Sequence, residues 1–339
     1  MEDTIKISFL GYGYWGKNVL RTLMNEPKAT IRWACDVVPE RTKQIESDFP
    51  SLAVTTDSQQ AITDPEVDAV VIATPAETHV PISMQALTQG KHVFVEKPMA
   101  ANLREALSLA KFVRGQDRVF QVGHIFEYAA PVRVLRDWIQ NDQLGKIRYI
   151  TINRASPGPR LRRDINIVWD YAIHDLYMLM FLLGDEPERV AARGLCNFYA
   201  NIEDTVFIDL YFPGGTWVVA HSSWVAPTKR RDVTVVGSKA MAVYDETQPN
   251  KLVLYKRGYS EYAGFDSWGN YNWHLFDDGF DVPELPSMQP LAAELAHFLD
   301  CIANGKRPIS DVEDGVRTTR VLEAVNQSLH NHGQEVFLK

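Results

Sequence analysis

Cysteine is scarce, with three residues in 339, Cys35, Cys196 and Cys301, at spacings that fit neither a disulfide framework nor a CxxC metal pair. That excludes a small disulfide-stapled scaffold and predicts a reducing cytoplasm and no bound metal. Long apolar runs are missing too. No stretch approaches the roughly 20 residues of a membrane span, and MEDTIKISFL places two acids before its first apolar run, so neither export nor a membrane partner is expected. Charge of one sign is nowhere concentrated: 35 basic and 43 acidic residues are scattered for a net charge of -8, which excludes a nucleic-acid arm. Repeats and low-complexity tracts are absent as well. What is present is 45% hydrophobic content in a chain longer than one usual domain, enough for two packed cores.

The first third alternates short apolar runs, IKISFL (5–10), TIRWAC (30–35), VDAVVIAT (67–74), KHVFVE (91–96) and RVFQVG (118–123), with amphipathic stretches such as WGKNVLRTLMNE and HVPISMQALTQG. Strand and helix in alternation predict an α/β fold with a doubly wound parallel sheet over residues 1–124. After residue 124 the rhythm changes. A helix at 130–140, a strand at 146–156, an Arg-rich loop and an apolar helix at 167–184 precede closely spaced strands from 187 to 257. Residues 125–339 therefore read as a second α/β domain with a large, mainly antiparallel open sheet, for substrate binding and oligomerisation. Segment 258–287 has no clear period and reads as an ordered irregular loop, and helices at 289–304 and 312–331 close the chain and can pack back on the first domain.

FLGYGYWGKNVL holds Gly11-x-Gly13-x-x-Gly16 after a strand and at the start of a helix, the context of a dinucleotide-binding turn. Gly11 permits the tight turn, Gly13 lets backbone approach a pyrophosphate, and Gly16 lets helix and strand pack closely, while the helix N-terminus offers amides to the anion. Tyr12, Tyr14 and Trp15 belong to the same turn. An ordinary glycine-rich turn carries the same pattern, so Asp36 adds the discrimination: it ends the second strand, where a carboxylate accepts hydrogen bonds from a ribose diol and repels a 2′-phosphate. NAD is expected over NADP. Arg41 works against that preference if it meets a phosphate, and is neutral to it if it covers the adenine. Thr74, Pro75 and His79, at the carboxyl end of another strand, line the expected cofactor cleft; the alternative for His79 is a surface residue on a helix that Thr78 caps.

Glu96-Lys97-Pro98 also ends a strand, and the proline biases Lys97 to extended backbone. An ammonium at a nicotinamide pocket can hydrogen-bond a substrate hydroxyl and stabilise alkoxide character as hydride leaves the adjacent carbon. Glu96 either holds that lysine or meets the nicotinamide ribose. In VWDYAIHDLYML, Asp170 and His174 stand four apart and so share a helix face. A histidine suits proton transfer near neutral pH with a carboxylate beside it, although a buried histidine satisfied by Asp170 reads equally from the pattern. Asp175 points about 100° away from His174.

Together these motifs resemble the Gfo/Idh/MocA family of NAD(P)-dependent sugar and cyclitol oxidoreductases, over nearly the whole chain. The resemblance implies a Rossmann domain, an α/β domain whose open sheet forms an oligomer interface, Lys97 and His174 as catalytic pair with His174 the acid/base, and Asp170 as a substrate contact. One departure is RDINIVWD, where family members commonly have glycines; bulky Ile167, Val168 and Trp169 are expected to reshape the substrate pocket. GYWGKN, WDYAIHD and VVGSKAMAVYD resemble the branch that oxidises nucleotide-linked sugars, and the loop arginines Arg154, Arg160, Arg162 and Arg163 suit a diphosphate, with Arg160 and Arg163 as the expected substrate contacts. A solvated loop paired with acids such as Asp164 is the bland alternative for the arginines. A nucleotide-sugar dehydrogenase is thus the leading expectation, with a free-polyol (inositol-type) dehydrogenase or a non-catalytic NAD(P)-sensing regulator as alternatives. The partner is a small-molecule sugar, not nucleic acid, and a face carrying Trp217, Val219 and Trp224 suggests a homodimer or homotetramer.

Overall fold

The computed structural model describes residues 4–157, 162–265 and 271–338. The chain divides into two compact units, Met1–Ala129 with Met288–Arg320, and Ala130–Ser287 with Val321–Lys339. The first unit thus runs past residue 124 and takes in a later segment.

In the first unit, β1 (Ile5–Leu10), β2 (Ala29–Cys35), β3 (Val54–Thr55), β4 (Ala69–Ile72), β5 (His92–Glu96) and β6 (Phe120–Gly123) form one parallel sheet in the order β3-β2-β1-β4-β5-β6. Helices α1 (Gly16–Met24), α2 (Pro39–Asp48), α3 (Ser58–Thr63), α4 (His79–Thr88) and α5 (Leu103–Val113) connect the strands. The strands are short apolar runs because both faces are covered. Along β5, Phe94 points into one core with Phe9, Leu20 and Leu23, while Val93 and Val95 point into the other with Leu87 and Leu109. The first core is completed from far along the chain by Leu295, Phe298 and Leu299 of α8 (Pro290–Asn304), and Phe298 meets Phe94 edge-on at 5.8 Å. Strand order reverses between β1 and β4, so the carboxyl ends of β1, β4 and β5 frame the crevice where a ligand binds in such sheets.

In the second unit, α6 (Ala130–Gln140) leads to a nine-stranded sheet of β7 (Ile147–Ala155), β8 (Arg189–Leu195), β9 (Thr205–Tyr211), β10 (Trp217–Ser223), β11 (Arg230–Gly237), β12 (Met241–Asp245), β13 (Leu252–Phe265), β14 (Tyr271–Asp281) and β15 (Val336–Phe337). Its order is β14-β13-β12-β11-β7-β10-β9-β8-β15, antiparallel except for β7 beside β10. Helix α7 (Ile173–Leu183) packs with α6, and Arg136 lies 4.1 Å over the Phe181 ring. Helix α9 (Val312–His330) begins in the first unit and ends in the second. Within 258–287, expected as an irregular loop, β13 and β14 pair antiparallel up to Asp281, while 282–287 has no regular secondary structure. Apolar residues such as Leu275 and Phe280 stay exposed on these strands, so no one-sided alternation marks them. Trp217 is exposed and Val219 half-buried on one sheet face, whereas Trp224, expected beside them, is buried and meets Tyr171 at 6.2 Å.

Candidate active site

The glycine turn is built by close approach. Gly11 has φ +102°, and a side chain on it would stand 2.5 Å from the Ala73 carbonyl oxygen; one on Gly16 would collide with the Gly11 carbonyl. A Cβ on Gly13, by contrast, would meet no atom within 4 Å, so the turn opens onto free space there. The turn's backbone is held from behind by Asp36, which is 3% exposed: its Oδ2 accepts the Tyr12 amide at 2.7 Å and its Oδ1 the Val38 amide at 2.9 Å. Arg41 Nη1 lies 3.4 Å from the same carboxylate, so the arginine is paired with the acid. An open cradle before a helix N-terminus, with an acid at the next strand end, fits a dinucleotide. Tyr12 contributes only backbone to the turn, because its ring is buried and its hydroxyl donates to Asp48 at 2.6 Å. Tyr14 is 85% exposed.

At the end of β4, the Thr74 and Thr78 hydroxyls are 2.6 Å apart, and Thr78 donates back to the Pro75 carbonyl. His79 is not a surface residue. It is buried, with Nδ1 2.7 Å from the Pro98 carbonyl and Nε2 2.7 Å from that of Thr74, and burial pushes its pKa below the ordinary histidine range. The neutral ring carries one N–H, so it donates to one of these carbonyls and packs against the other.

Glu96 is 7% exposed. Its Oε1 accepts the Trp15 indole N–H at 2.7 Å and its Oε2 the Lys97 amide at 3.2 Å. Burial pushes its carboxyl up to about 7, against the opposing pull of Trp15 and Lys97. One oxygen thus reaches the glycine turn and the other the backbone of Lys97, whose charge also acts on the carboxyl. Lys97 is half-buried and its bond to Pro98 is cis.

In the second unit, a π-helical turn, Val168–Ala172, runs into α7, placing Asp170 on the π turn and His174 on the first α turn. Such turns recur at functional sites. Both side chains are half-buried; His174 Nδ1 lies 3.0 Å from the hydroxyl of buried Tyr177, and Asp170 Oδ1 lies 3.7 Å from Arg162 Nη1. Arg162 also forks onto Asp164, and Arg163 stacks 4.7 Å over the Tyr199 ring. Arg160 lies outside the described residues. Arg154 does not belong with the loop arginines: it is buried on β7 and bonds Asp175 Oδ1 through Nη2 at 2.7 Å and Nε at 2.8 Å. Asp175 is fully buried, and burial pushes its pKa up against Arg154. Ile167 and Val168 are likewise core residues, so of the three bulky residues only Trp169 is part-exposed.

Sequence reasoning missed two partners. Tyr177 stands three residues after His174, a helical spacing that was available to read. The Trp15–Glu96 bond joins residues 81 apart and left no local signal. Among the described residues, no group of three or more His, Cys, Asp or Glu side chains gathers as a metal site, and no helix is long and apolar enough to cross a membrane.

The chain matches two family models, "Oxidoreductase family, NAD-binding Rossmann fold" over residues 5–124 and "GFO/IDH/MocA C-terminal domain" over residues 132–243. It is 30% identical over 262 residues to UDP-N-acetylglucosamine 3-dehydrogenase of Acidithiobacillus ferrooxidans, covering 77% of this chain and 78% of that one. It is 25% identical over 348 residues to the scyllo-inositol 2-dehydrogenase (NAD(+)) of Bacillus subtilis, covering 98% and 96%. The solved structure of the Acidithiobacillus enzyme superposes with a TM-score of 0.82 at 23% identity over 97% of this chain and 98% of that one. The chain belongs to the Gfo/Idh/MocA family and is an NAD-dependent oxidoreductase of the dehydrogenase type.

Proposed function

We propose that this enzyme moves hydride between a hydroxyl-bearing carbon of a nucleotide-linked sugar and NAD, with Lys97 and His174 as catalytic residues and Asp170 as a substrate contact. The single observation that carries the chemistry is His174: a half-buried imidazole at the start of α7, oriented by the Tyr177 hydroxyl at 3.0 Å, one turn from the Asp170 carboxylate. NAD+, when bound, supplies the nicotinamide that accepts the hydride. The chain's residues do the rest. Lys97 hydrogen-bonds the substrate oxygen and stabilises the negative charge that grows there, and His174 takes the hydroxyl proton at Nε2. Run in reverse, the same groups protonate and polarise a ketone. Gly13, Asp36, Thr74 and Pro75 border the cofactor, with Asp36 at the ribose.

Support for a nucleotide sugar comes from Arg162 and Arg163 ahead of the catalytic helix and from the 30% identity to the UDP-N-acetylglucosamine enzyme. A second reading, a free cyclitol, is favoured by the pairing of Arg162 with Asp164 and Asp170, which leaves less of its charge for a diphosphate, and by the full-length likeness to inositol dehydrogenases. We further propose a homodimer or homotetramer built on the sheet face where Tyr149, Trp217 and Tyr211 stand abreast on β7, β10 and β9. Light scattering at micromolar concentration is expected to show it, and monomer alone would defeat it.

The deciding experiment mixes the enzyme and NAD+ with UDP-, dTDP- and GDP-sugars beside free inositol and glucose, follows NADH absorbance, and uses Lys97→Ala as control. NADH from a nucleotide sugar alone, lost in the variant, is the expected result; turnover of the free polyols alone establishes the second reading.

A further inference from the structure

Glu96 sits at the meeting of three elements, and each fixes its carboxyl. The glycine turn supplies the Trp15 indole N–H to Oε1, and β5 supplies the Lys97 amide to Oε2. From β6 comes Gly123, the register partner of Glu96; a Cβ there would stand 3.0 Å from Oε2 and 3.1 Å from Cδ, so the carboxyl lies flat on a strand that only glycine keeps clear. A second buried acid stands behind. Glu294 of α8 is fully buried, neither of its carboxyl oxygens has a hydrogen-bond partner, and Gln121 of β6 donates to its backbone carbonyl at 3.1 Å. An ionised carboxylate is too costly in such a place, so Glu294 keeps its proton and Glu96 is the acid of the pair that titrates.

We propose that Trp15, Glu96 and Lys97 form a relay in which the Glu96 carboxyl couples the order of the cofactor turn to the backbone that aims the lysine, with Trp15 and Glu96 as positioning residues. It rests on Lys97 being the group that meets the substrate. A charged carboxylate holds its donors about twice as strongly as a neutral acid does, so loss of the Glu96 proton tightens both arms at once. The charged and titratable groups around it are Lys97 on its own strand end, Glu294 on α8 and, beyond Glu294, Glu127, which pairs with His124 at 3.0 Å; Asp314 and Arg317 of α9 act on that second pair. Of these, Lys97 is the one given a ligand contact, with the substrate, which an NADH titration leaves out. Since burial lifts the Glu96 carboxyl to about 7, the relay switches near neutral pH.

The test is NADH affinity, read by NADH fluorescence between pH 6 and 8.5, in the wild type, Glu96→Gln and Trp15→Phe. The expected result for the wild type is a Kd that falls several-fold, about three- to tenfold, as pH rises through 7, the gain of a charge-assisted over a neutral bond. Glu96→Gln is expected to be flat. Trp15→Phe, which removes a donor that stabilises the charged form, is expected to move the midpoint to higher pH. A flat wild-type profile, or the same profile in Glu96→Gln, overturns the relay; if Glu96→Gln does not fold, an unmoved midpoint in Trp15→Phe overturns it. Turnover by Lys97→Ala is separate: retained activity would sink the role given to Lys97 and leave the NADH profile untouched.

Discussion

The two units hold their candidate site residues in opposite ways. In the first unit, the carboxylates that matter, Asp36 and Glu96, are almost fully buried, and their oxygens are taken up by the backbone, Arg41 and an indole. In the second, Asp170 and His174 stand half-open, and the nearby arginines are exposed and shared among acids. The first arrangement presents a fixed shape to a ligand that does not vary. The second leaves its side chains part-exposed, and the relatives include both a UDP-N-acetylglucosamine 3-dehydrogenase and an inositol dehydrogenase.

The largest expected effect comes from breaking the open half. His174→Ala should lower kcat by ~10²–10⁴, the usual worth of a general acid/base, with the NADH Kd unchanged by titration. Next is the buried pair beneath that half. Arg154→Ala leaves Asp175 as an uncompensated charge, and urea unfolding should show a loss of ~3–5 kcal/mol, whereas Arg163→Ala on the exposed loop should change stability by no more than about 0.5 kcal/mol.

The third prediction sharpens the contrast from the closed half. Glu96 has a folded value of about 7 against the ordinary 4.5, so the stability carried by its protonated form is whole below 4.5 and is lost as pH rises through 7. Relative to the wild type, Glu96→Gln should therefore gain up to ~3 kcal/mol between pH 4.5 and pH 8 in urea titrations. The smallest effect belongs to orientation. Tyr177→Phe removes one neutral hydrogen bond to His174, worth about 1 kcal/mol, and should lower kcat roughly five- to tenfold while leaving KM near its wild-type value.

The same contrast explains what was legible in the sequence. The glycine turn and the strand ends at Glu96 and Gly123 could be read because each is a local pattern, an apolar run that stops, whereas β4 ends at Ile72, two residues before the end its apolar run suggested. The strand pairing beyond residue 257 could not be read, since strands at the sheet's edge with apolar residues on the exposed side lose the alternation that marks a strand. Arg154 illustrates a second limit. An arginine near the end of a predicted strand looks like a loop arginine, and its burial and its partner Asp175 on α7 show it to be core. His79 and Glu96 mark a third, because their roles depend on carbonyls and an indole brought in from elsewhere in the chain.

The proposed function assigns cofactor binding to the first unit and proton transfer to His174 of the second. Isothermal titration of NADH into His174→Ala, paired with steady-state turnover on whichever sugar the panel identifies, tests it most directly. The predicted result is NADH affinity within about threefold of the wild type with turnover down by ~10²–10⁴. NADH affinity lost in step with turnover, or turnover retained, would contradict it.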